Sequence, residues 1–158
     1  QNTKGALKWY KKAAEQGKPE AMCNLAALYL YTSCSLNIVE GCKWMESYLN
    51  SNHPEREPEI VKKYLFDYGT YLFGAKTSAN IQPQQELPKS MQNAKKGCQL
   101  LERAGEIFNS TDAIDMLGSK LYMTGQHPDI PRNLDKGMYW LLKGAQNGNG
   151  MNAFQLAM

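Results

Sequence analysis

The chain of 158 residues carries 18 Lys and Arg residues and 15 Asp and Glu residues, which gives a formal net charge of +3. A charge this small does not indicate a nucleic-acid track or a patch for an anionic membrane surface. The length suits one compact domain or one short repeat array, and no stretch approaches the roughly 18 apolar residues of a membrane-spanning helix.

Amphipathic patterns and turn residues predict helices along the whole chain and no convincing strand. Apolar residues recur three and four places apart, which is the spacing of one helix face. Short polar or glycine-containing segments such as Gly17 to Pro19 separate these patterns, and a proline suits a first helical turn. The predicted helices span 3–16, 19–32, 38–51, 57–74, 90–107, 110–124, 134–147 and 150–158.

One arrangement of small and bulky residues recurs in these helices. Trp9 marks one position of this arrangement, and the equivalent markers further along the chain are Trp44, Leu100 and Trp140. Each of the four markers has a small residue three places before it. These small residues are Ala6, Gly41, Gly97 and Gly137. A small residue beside a bulky one on the same face lets a neighbouring helix approach closely. We therefore expect antiparallel helical hairpins in which the four markers occupy equivalent buried places.

Two stretches carry a more specific pattern, which resembles the Sel1-like repeat. The first is KGALKWYKKAAEQGKPEAMCNLAALY, and the second is AIDMLGSKLYMTG followed by LDKGMYWLLKGAQNG. In the second stretch Tyr122 and Gly125 lie one place later than the usual spacing of that repeat. A third stretch, VKKYLFDYGTYLFG, lacks an expected alanine and shifts its last glycine by one place, so it is interpreted as a degenerate copy.

The resemblance implies an all-α fold, a right-handed α-solenoid (α/α superhelix) of antiparallel helical hairpins related to tetratricopeptide arrays. We expect a single array with a half-repeat at 1–17, a repeat at 18–52, a degenerate repeat at 53–108 with an insertion at 75–92, a repeat at 109–148 and the start of a further helix at 149–158. Because the chain begins and ends within helical patterns, we also expect it to be a piece of a longer protein.

Proteins of this family mostly act as adaptors, and stacked hairpins offer an extended concave surface for a peptide or a helix. The resemblance therefore implies a non-catalytic scaffold or assembly adaptor without a cofactor, which binds another protein or peptide as part of a larger complex. By analogy with tetratricopeptide grooves, the first helix of each hairpin lines the concave surface. The nominated contact positions are Glu20, Cys23, Ala27, Leu30, Lys63, Phe66, Thr70, Phe73, Asp112, Asp115 and Ser119.

The insertion is long for a connection within a compact repeat array. It has two interpretations: a tolerated surface extension, because doubling a flexible loop costs only about 0.6 kcal/mol, or an element that contacts the partner. Six aromatic residues of the predicted helices are expected to lie mostly in the core, where helical aromatics usually pack. They are Tyr64, Phe66, Tyr68, Tyr71, Phe73 and Tyr122.

No residue pattern indicates catalysis or a metal site. His53 and His127 lie in predicted turns, and neither has a cysteine or a carboxylate at a spacing typical of a metal site or a nucleophile pair. The sequence also lacks a phosphate-binding glycine loop and a nucleophile elbow. These observations favour a protein that is not an enzyme.

The four cysteines leave an alternative function open, a thiol-dependent assembly or redox factor. They are too few and too irregularly spaced for a disulfide scaffold. Reduced thiols are expected, and one bridge among Cys23, Cys34 and Cys42 is the alternative.

A lower alternative is an RNA-binding helical-repeat protein, although the repeat intervals are irregular and the basic residues are mixed with acids. The sequence predicts a soluble protein, cytoplasmic by default, with the mitochondrion or ER lumen as alternatives if a targeting signal lies outside this sequence.

Overall fold

The computed structural model describes residues 3–51, 56–148 and 157, and this part of the chain is all-α, as predicted. The predicted helices are present within a few residues of their expected bounds, except that the one at 150–158 lies outside the described residues save for residue 157. None of the described helices is long and apolar enough to cross a membrane. The helices are α1 Thr3–Glu15, α2 Pro19–Tyr31, α3 Ile38–Asn50, α4 Pro58–Leu72, α5 Ala94–Phe108, α6 Thr111–Asp115 and α7 Leu134–Gln146.

The chain divides into two compact units, which are described separately below. The first unit comprises Gln1–Tyr64 with Gly74–Gln92, and the second comprises Leu65–Phe73 with Asn93–Met158. The boundary crosses α4, so this helix contributes its first half to one unit and its second half to the other.

The second helix of each hairpin, which is α3, α5 or α7, begins with the same asparagine cap. The side-chain oxygens of Asn37, Asn93 and Asn133 each accept a hydrogen bond from the backbone N–H three residues further on, at 3.0 to 3.1 Å. Such a cap satisfies an otherwise unpaired N–H group and contributes about 1 kcal/mol. Each asparagine also precedes its marker by the same interval, so the repeat extends to the caps. Asn2, the equivalent residue before Trp9, lies outside the described residues.

The predicted close approach of a neighbouring helix is confirmed at the glycines that precede the markers Trp44 and Leu100. A Cβ atom on Gly41 would lie 2.3 Å from Leu30 Cγ in the preceding helix α2. A Cβ atom on Gly97 would lie 2.7 Å from the backbone oxygen of Gly69 in α4. Because real Cβ contacts are longer than these distances, each hairpin needs glycine where its two helices meet.

Three of the four markers are buried as predicted, and the fourth prediction is wrong. Trp44, Leu100 and Trp140 lie in the core, whereas Trp9 is 70% exposed. The ring of Trp140 packs over α5, where a Cβ atom on Gly105 would lie 2.6 Å from the ring. The Trp9 ring lies 5.9 Å from Lys12 Nζ.

The predicted helix at 110–124 changes its hydrogen bonding partway along. The α-helix α6 continues directly into a π-helical segment, Met116–Tyr122. At its end the N–H of Met123 donates to the carbonyl of Gly118, five residues earlier, at 3.3 Å. A π-helical turn holds one more residue than an α-helical turn. This segment therefore accounts for the late positions of Tyr122 and Gly125 in the repeat pattern.

The insertion at 75–92 is an ordered part of the first unit. Thr77 and Leu87 are buried, and the backbone N–H of Thr77 donates to the carbonyl of Gln85 at 2.8 Å. The Gln85 side chain then accepts from the N–H of Ile38 at 2.8 Å and donates to the carbonyl of Leu36 at 3.2 Å. The loop therefore braces the start of α3. Contact between its exposed residues and a partner stays a prediction.

The expectation for the aromatic residues is confirmed for four of the six. Tyr64, Tyr68, Tyr71 and Tyr122 are buried in the core. The two phenylalanines, Phe66 and Phe73, are half-buried.

Candidate functional site

The nominated contact positions of the first unit differ in accessibility. Glu20 and Lys63 are exposed, Ala27 is half-buried and Cys23 is buried. Leu30 is 0% exposed because α3 covers it at Gly41. Its nomination as a surface contact is therefore wrong, and Leu30 is a packing residue between α2 and α3.

The nominated positions of the second unit remain partly accessible. Asp112 is exposed, and the others are half-buried. Phe73 has packing contacts on two sides, since its ring meets the His127 ring edge to face at 5.3 Å and would lie 3.0 Å from a Cβ atom on Gly97. The half-buried positions are Phe66, Thr70, Phe73, Asp115 and Ser119.

A cavity of about 510 Å³ lies in the first unit and brings together two of the nominated positions, Glu20 and Cys23. It is formed by the start of α2, the end of α3 and the residues around the start of α4. Its volume falls within the range of about 300 to 1,000 Å³ found for small-molecule sites. The cavity can therefore hold a ligand of a few residues' size.

The floor of the cavity is neutral and firmly held. Burial raises the pKa of the Cys23 thiol and of the Tyr48 hydroxyl, so both groups keep their protons. The Tyr64 hydroxyl donates to the carbonyl of Cys23 at 2.8 Å, and its ring packs edge to face against Tyr48 at 5.6 Å. This packing fixes the floor without placing a charge on it.

The charges of the cavity lie in its walls and rim. Lys18, Glu20 and Glu57 are exposed, whereas Arg56 is half-buried. Arg56 Nη1 donates to the carbonyl of Leu49 at the end of α3, at 2.8 Å. The Nε–H of the same guanidinium is buried and has no hydrogen-bond partner within the described part of the chain. The cavity lining thus includes one guanidinium that is held in place through Nη1.

Apolar and amide groups complete the lining. Pro19 and Ile60 offer half-buried apolar surface, and the side chain of Asn24 can both donate and accept hydrogen bonds. Of the residues that line the cavity, only Glu20 and Cys23 were nominated from the sequence. The predicted turns could have indicated the others, because turns that join packed hairpins come together at one end of the helices and binding residues concentrate in such loops.

The four cysteines are all free, so the alternative of a bridge among Cys23, Cys34 and Cys42 is wrong. Cys34 is exposed, and the other three are buried. In the second unit the Cys98 thiol lies 3.2 Å from the Tyr122 hydroxyl, which donates to the Glu102 carboxylate. Burial, with a smaller effect of Glu102, raises the pKa of the Cys98 thiol to about 11.

We expect one thiol of the folded protein to react much faster with N-ethylmaleimide than the other three. Cys34 is exposed, whereas at pH 8 only about one Cys98 thiol in a thousand is ionised if its pKa is about 11. Peptide mass spectrometry after timed labelling measures the rate at each site.

The control for this labelling is Cys34→Ser, which should remove the fast phase and leave the helical circular dichroism spectrum unchanged. Denaturation in guanidinium should make all remaining thiols reactive. Fast labelling of Cys98 in the folded protein would contradict its burial and favour a redox role.

No group of three or more His, Cys, Asp or Glu residues in the described ranges is placed to hold a metal ion. Of the two histidines considered in the sequence, His53 lies outside these ranges, and His127 contacts Phe73.

Helical hairpins with recurring caps and glycine contacts define a helical-repeat protein. The family model for the Sel1 repeat matches residues 1–18, 19–47 and 111–149, which is more than half of the chain. The chain therefore belongs to the Sel1 repeat family, whose members are helical solenoid repeats. No curated protein matches the chain.

Membership of this family indicates a general kind of function but no particular partner. Sel1 repeats generally mediate protein–protein binding, and the family is generally non-catalytic. The family model leaves residues 48–110 unmatched. The degenerate repeat at 53–108 therefore stays a prediction.

Proposed function

We propose that this protein is a non-catalytic scaffold or assembly adaptor that binds a partner protein or peptide through the first helices of its hairpins. The observation that supports this proposal is the cavity in the first unit, which is bordered by the nominated positions Glu20 and Cys23. A preformed cavity on packed helices reduces the entropy lost when a partner is ordered on it. The exposed residues of the 75–92 loop are a further candidate contact in the same unit.

The accessible charges suit recognition of a partner better than stabilisation of the fold. Glu20 and Asp112 are exposed, and exposed charges contribute little to stability, typically about 0 to 1 kcal/mol per pair. Charges at the edge of an interface instead steer association and select partners. Reversing such a charge should therefore change binding while the fold is retained.

Affinity capture with the full chain, followed by quantitative mass spectrometry, tests the scaffold role. We expect Glu20→Lys or Lys63→Glu to reduce recovery of at least one wild-type partner by about tenfold, which corresponds to about 1.4 kcal/mol. Asp115→Lys makes the same test in the second unit. Lys95→Glu is the matched control, because Lys95 is exposed on α5 and was not nominated.

Circular dichroism melts of every variant separate loss of binding from loss of folding. Equal recovery of all captured proteins by the wild type and by the three nominated variants would contradict the assignment. The thiol-dependent alternative gains no support from three buried thiols, two of which have raised pKa values.

A further inference from the structure

Helix α1 and the turn after it carry the positive charge excess of the whole chain. Between Thr3 and Lys18 the sequence holds five lysines and one acidic residue, Glu15, which gives this segment a net charge of +4, whereas the whole chain carries +3. The other residues together are therefore slightly acidic. The small net charge of the chain conceals a local basic surface in the first unit.

Four of these lysines form one face of α1, which we call the lysine face and which consists of Lys4, Lys8, Lys11 and Lys12. All four side chains are exposed. At 3.6 residues per turn they lie within a sector of roughly 100°, and at 1.5 Å per residue they extend over about 12 Å. The packed side of α1 holds the buried Ala14, and the helix packs against α2. Packing of α1 therefore leaves the lysine face in solvent.

The positions of the lysine face do not take part in hairpin packing elsewhere in the chain. Relative to the markers, the same four positions of α3, α5 and α7 are exposed or half-buried and never buried. Each of those helices has an acidic residue at one of the positions, namely Glu46, Glu102 or Asp135, whereas α1 has lysine at all four. The uniform charge is therefore a property of α1 and not of the repeat.

Helix stability does not account for the lysine face. Within the described ranges none of its four ammonium groups forms an ion pair with a carboxylate. Lys8 has a like charge four residues away on each side, an arrangement that slightly destabilises a helix. Lys4 lies in a first turn without acidic residues, where the helix dipole disfavours a cation. Lys12 is better placed, since it lies in the last turn.

From these observations we propose that the lysine face binds an acidic segment of a partner protein, a run of about four or five Asp and Glu residues. An extended run of that length spans about 13–17 Å, which covers the lysine face. Each lysine carries its N–H donors on a flexible stem, so the four can adjust to carboxylates without a preformed pocket. This surface goes beyond the proposed function, because the nominated positions lie on other helices.

The extent of the lysine face favours an acidic peptide over a nucleic acid or a membrane. Binding to nucleic acid commonly rests on roughly 6–10 phosphate contacts, and this face offers four cations over about 12 Å. A helix that lies in a membrane surface must turn an apolar side to the acyl chains. The packed side of α1 is engaged with α2, and the lysine face contains no apolar residue.

NMR titration of the full ¹⁵N-labelled chain tests this inference. The probe is acetyl-pentaglutamate amide, and the matched control is acetyl-pentaglutamine amide at the same concentration. We expect the backbone amide signals of α1 to shift with the glutamate peptide and not with the glutamine peptide. The Kd of the glutamate peptide should rise about tenfold between 50 and 250 mM NaCl, because salt screens exposed charges.

Two double variants separate the lysine face from a general attraction by positive charge. Lys8→Gln with Lys11→Gln should raise the Kd of the glutamate peptide about tenfold. Lys95→Gln with Lys120→Gln removes two exposed charges from the second unit and should change this Kd less than about twofold. Glutamine favours a helix nearly as well as lysine, so both variants should keep the wild-type circular dichroism spectrum. Equal Kd values for the two variants would overturn the assignment.

Other ligands of a basic surface provide the remaining outcomes. The inference is overturned if the glutamate peptide shifts the α1 signals no more than the glutamine peptide does. It is also overturned if either competitor binds α1 more tightly than the glutamate peptide at 150 mM NaCl. These competitors are vesicles of phosphatidylcholine with one quarter phosphatidylserine and a ten-nucleotide uridylate RNA.

The peptide titration and the capture experiment fail independently. Asp115→Lys, which tests a nominated position in the second unit, should leave the Kd of the glutamate peptide unchanged within about twofold. Absence of a peptide response would remove the acidic segment and leave the scaffold role in place. Unchanged capture by the nominated variants would remove the nominated positions and leave the lysine face in place.

Discussion

Replacing Trp140 with alanine is expected to lower the free energy of unfolding by about 3–5 kcal/mol, the range typical of removing a large buried aromatic side chain. Trp140 is 3% exposed. Its ring fills the space over Gly105 and packs edge to face against Tyr139 at 5.1 Å. Alanine would leave a cavity between α5 and α7, which the glycine cannot fill. Urea denaturation of the full chain, followed by far-UV circular dichroism, measures the loss.

The chain contains its own control for this prediction. Trp9 occupies the same place in the repeat pattern but is mostly exposed. Trp9→Ala should therefore change the free energy of unfolding by less than about 0.5 kcal/mol, as surface substitutions usually do. Similar losses in the two variants would show that Trp9 is buried in solution and that the predicted equivalence of the four markers was right.

Gly97→Ala is expected to destabilise the second unit by about 2 kcal/mol, although alanine is the better helix former. A glycine within a helix normally costs about 1 kcal/mol relative to alanine. Here the added methyl group would lie 2.7 Å from the Gly69 carbonyl and 3.0 Å from the Phe73 ring. Because backbone cannot move aside as a flexible side chain can, α4 and α5 must separate, and overpacking of this kind costs about 1–3 kcal/mol.

Gln99→Ala on the exposed side of the same helix controls for helix propensity. It should leave the free energy of unfolding unchanged or raise it slightly. Thermal melts of both variants provide the comparison. A Gly97→Ala protein as stable as Gln99→Ala would mean that the two helices do not meet backbone to backbone.

The hairpins could be predicted from the sequence because their cause is local and repeated. A helix that packs closely must place small residues at fixed intervals from bulky ones, and Gly41, Gly97 and Gly137 keep that interval. The prediction for Trp9 was wrong because burial also needs a second surface. The pattern shows that Trp9 can pack, but it does not supply the helix that would cover it.

The contact surface was harder to predict than the helices. Leu30 was nominated by analogy with other helical repeats, but a shift of a third of a helical turn separates a groove residue from a core residue. Arg56 had no recognisable motif. Its position in the cavity lining depends on the carbonyl of Leu49, which accepts a hydrogen bond from it. This contact belongs to the folded chain and not to local sequence.

The π-helical segment has a consequence for how such a chain can vary in length. The extra residue is accommodated within Met116–Tyr122, and Asn133, Gly137 and Trp140 keep the same mutual spacing as their counterparts around α5. An insertion inside a helix would otherwise rotate every following side chain by about 100°. The widened turn confines that rotation to a few residues. Evolution can therefore add a residue within a packed helix of this chain without disturbing the next one.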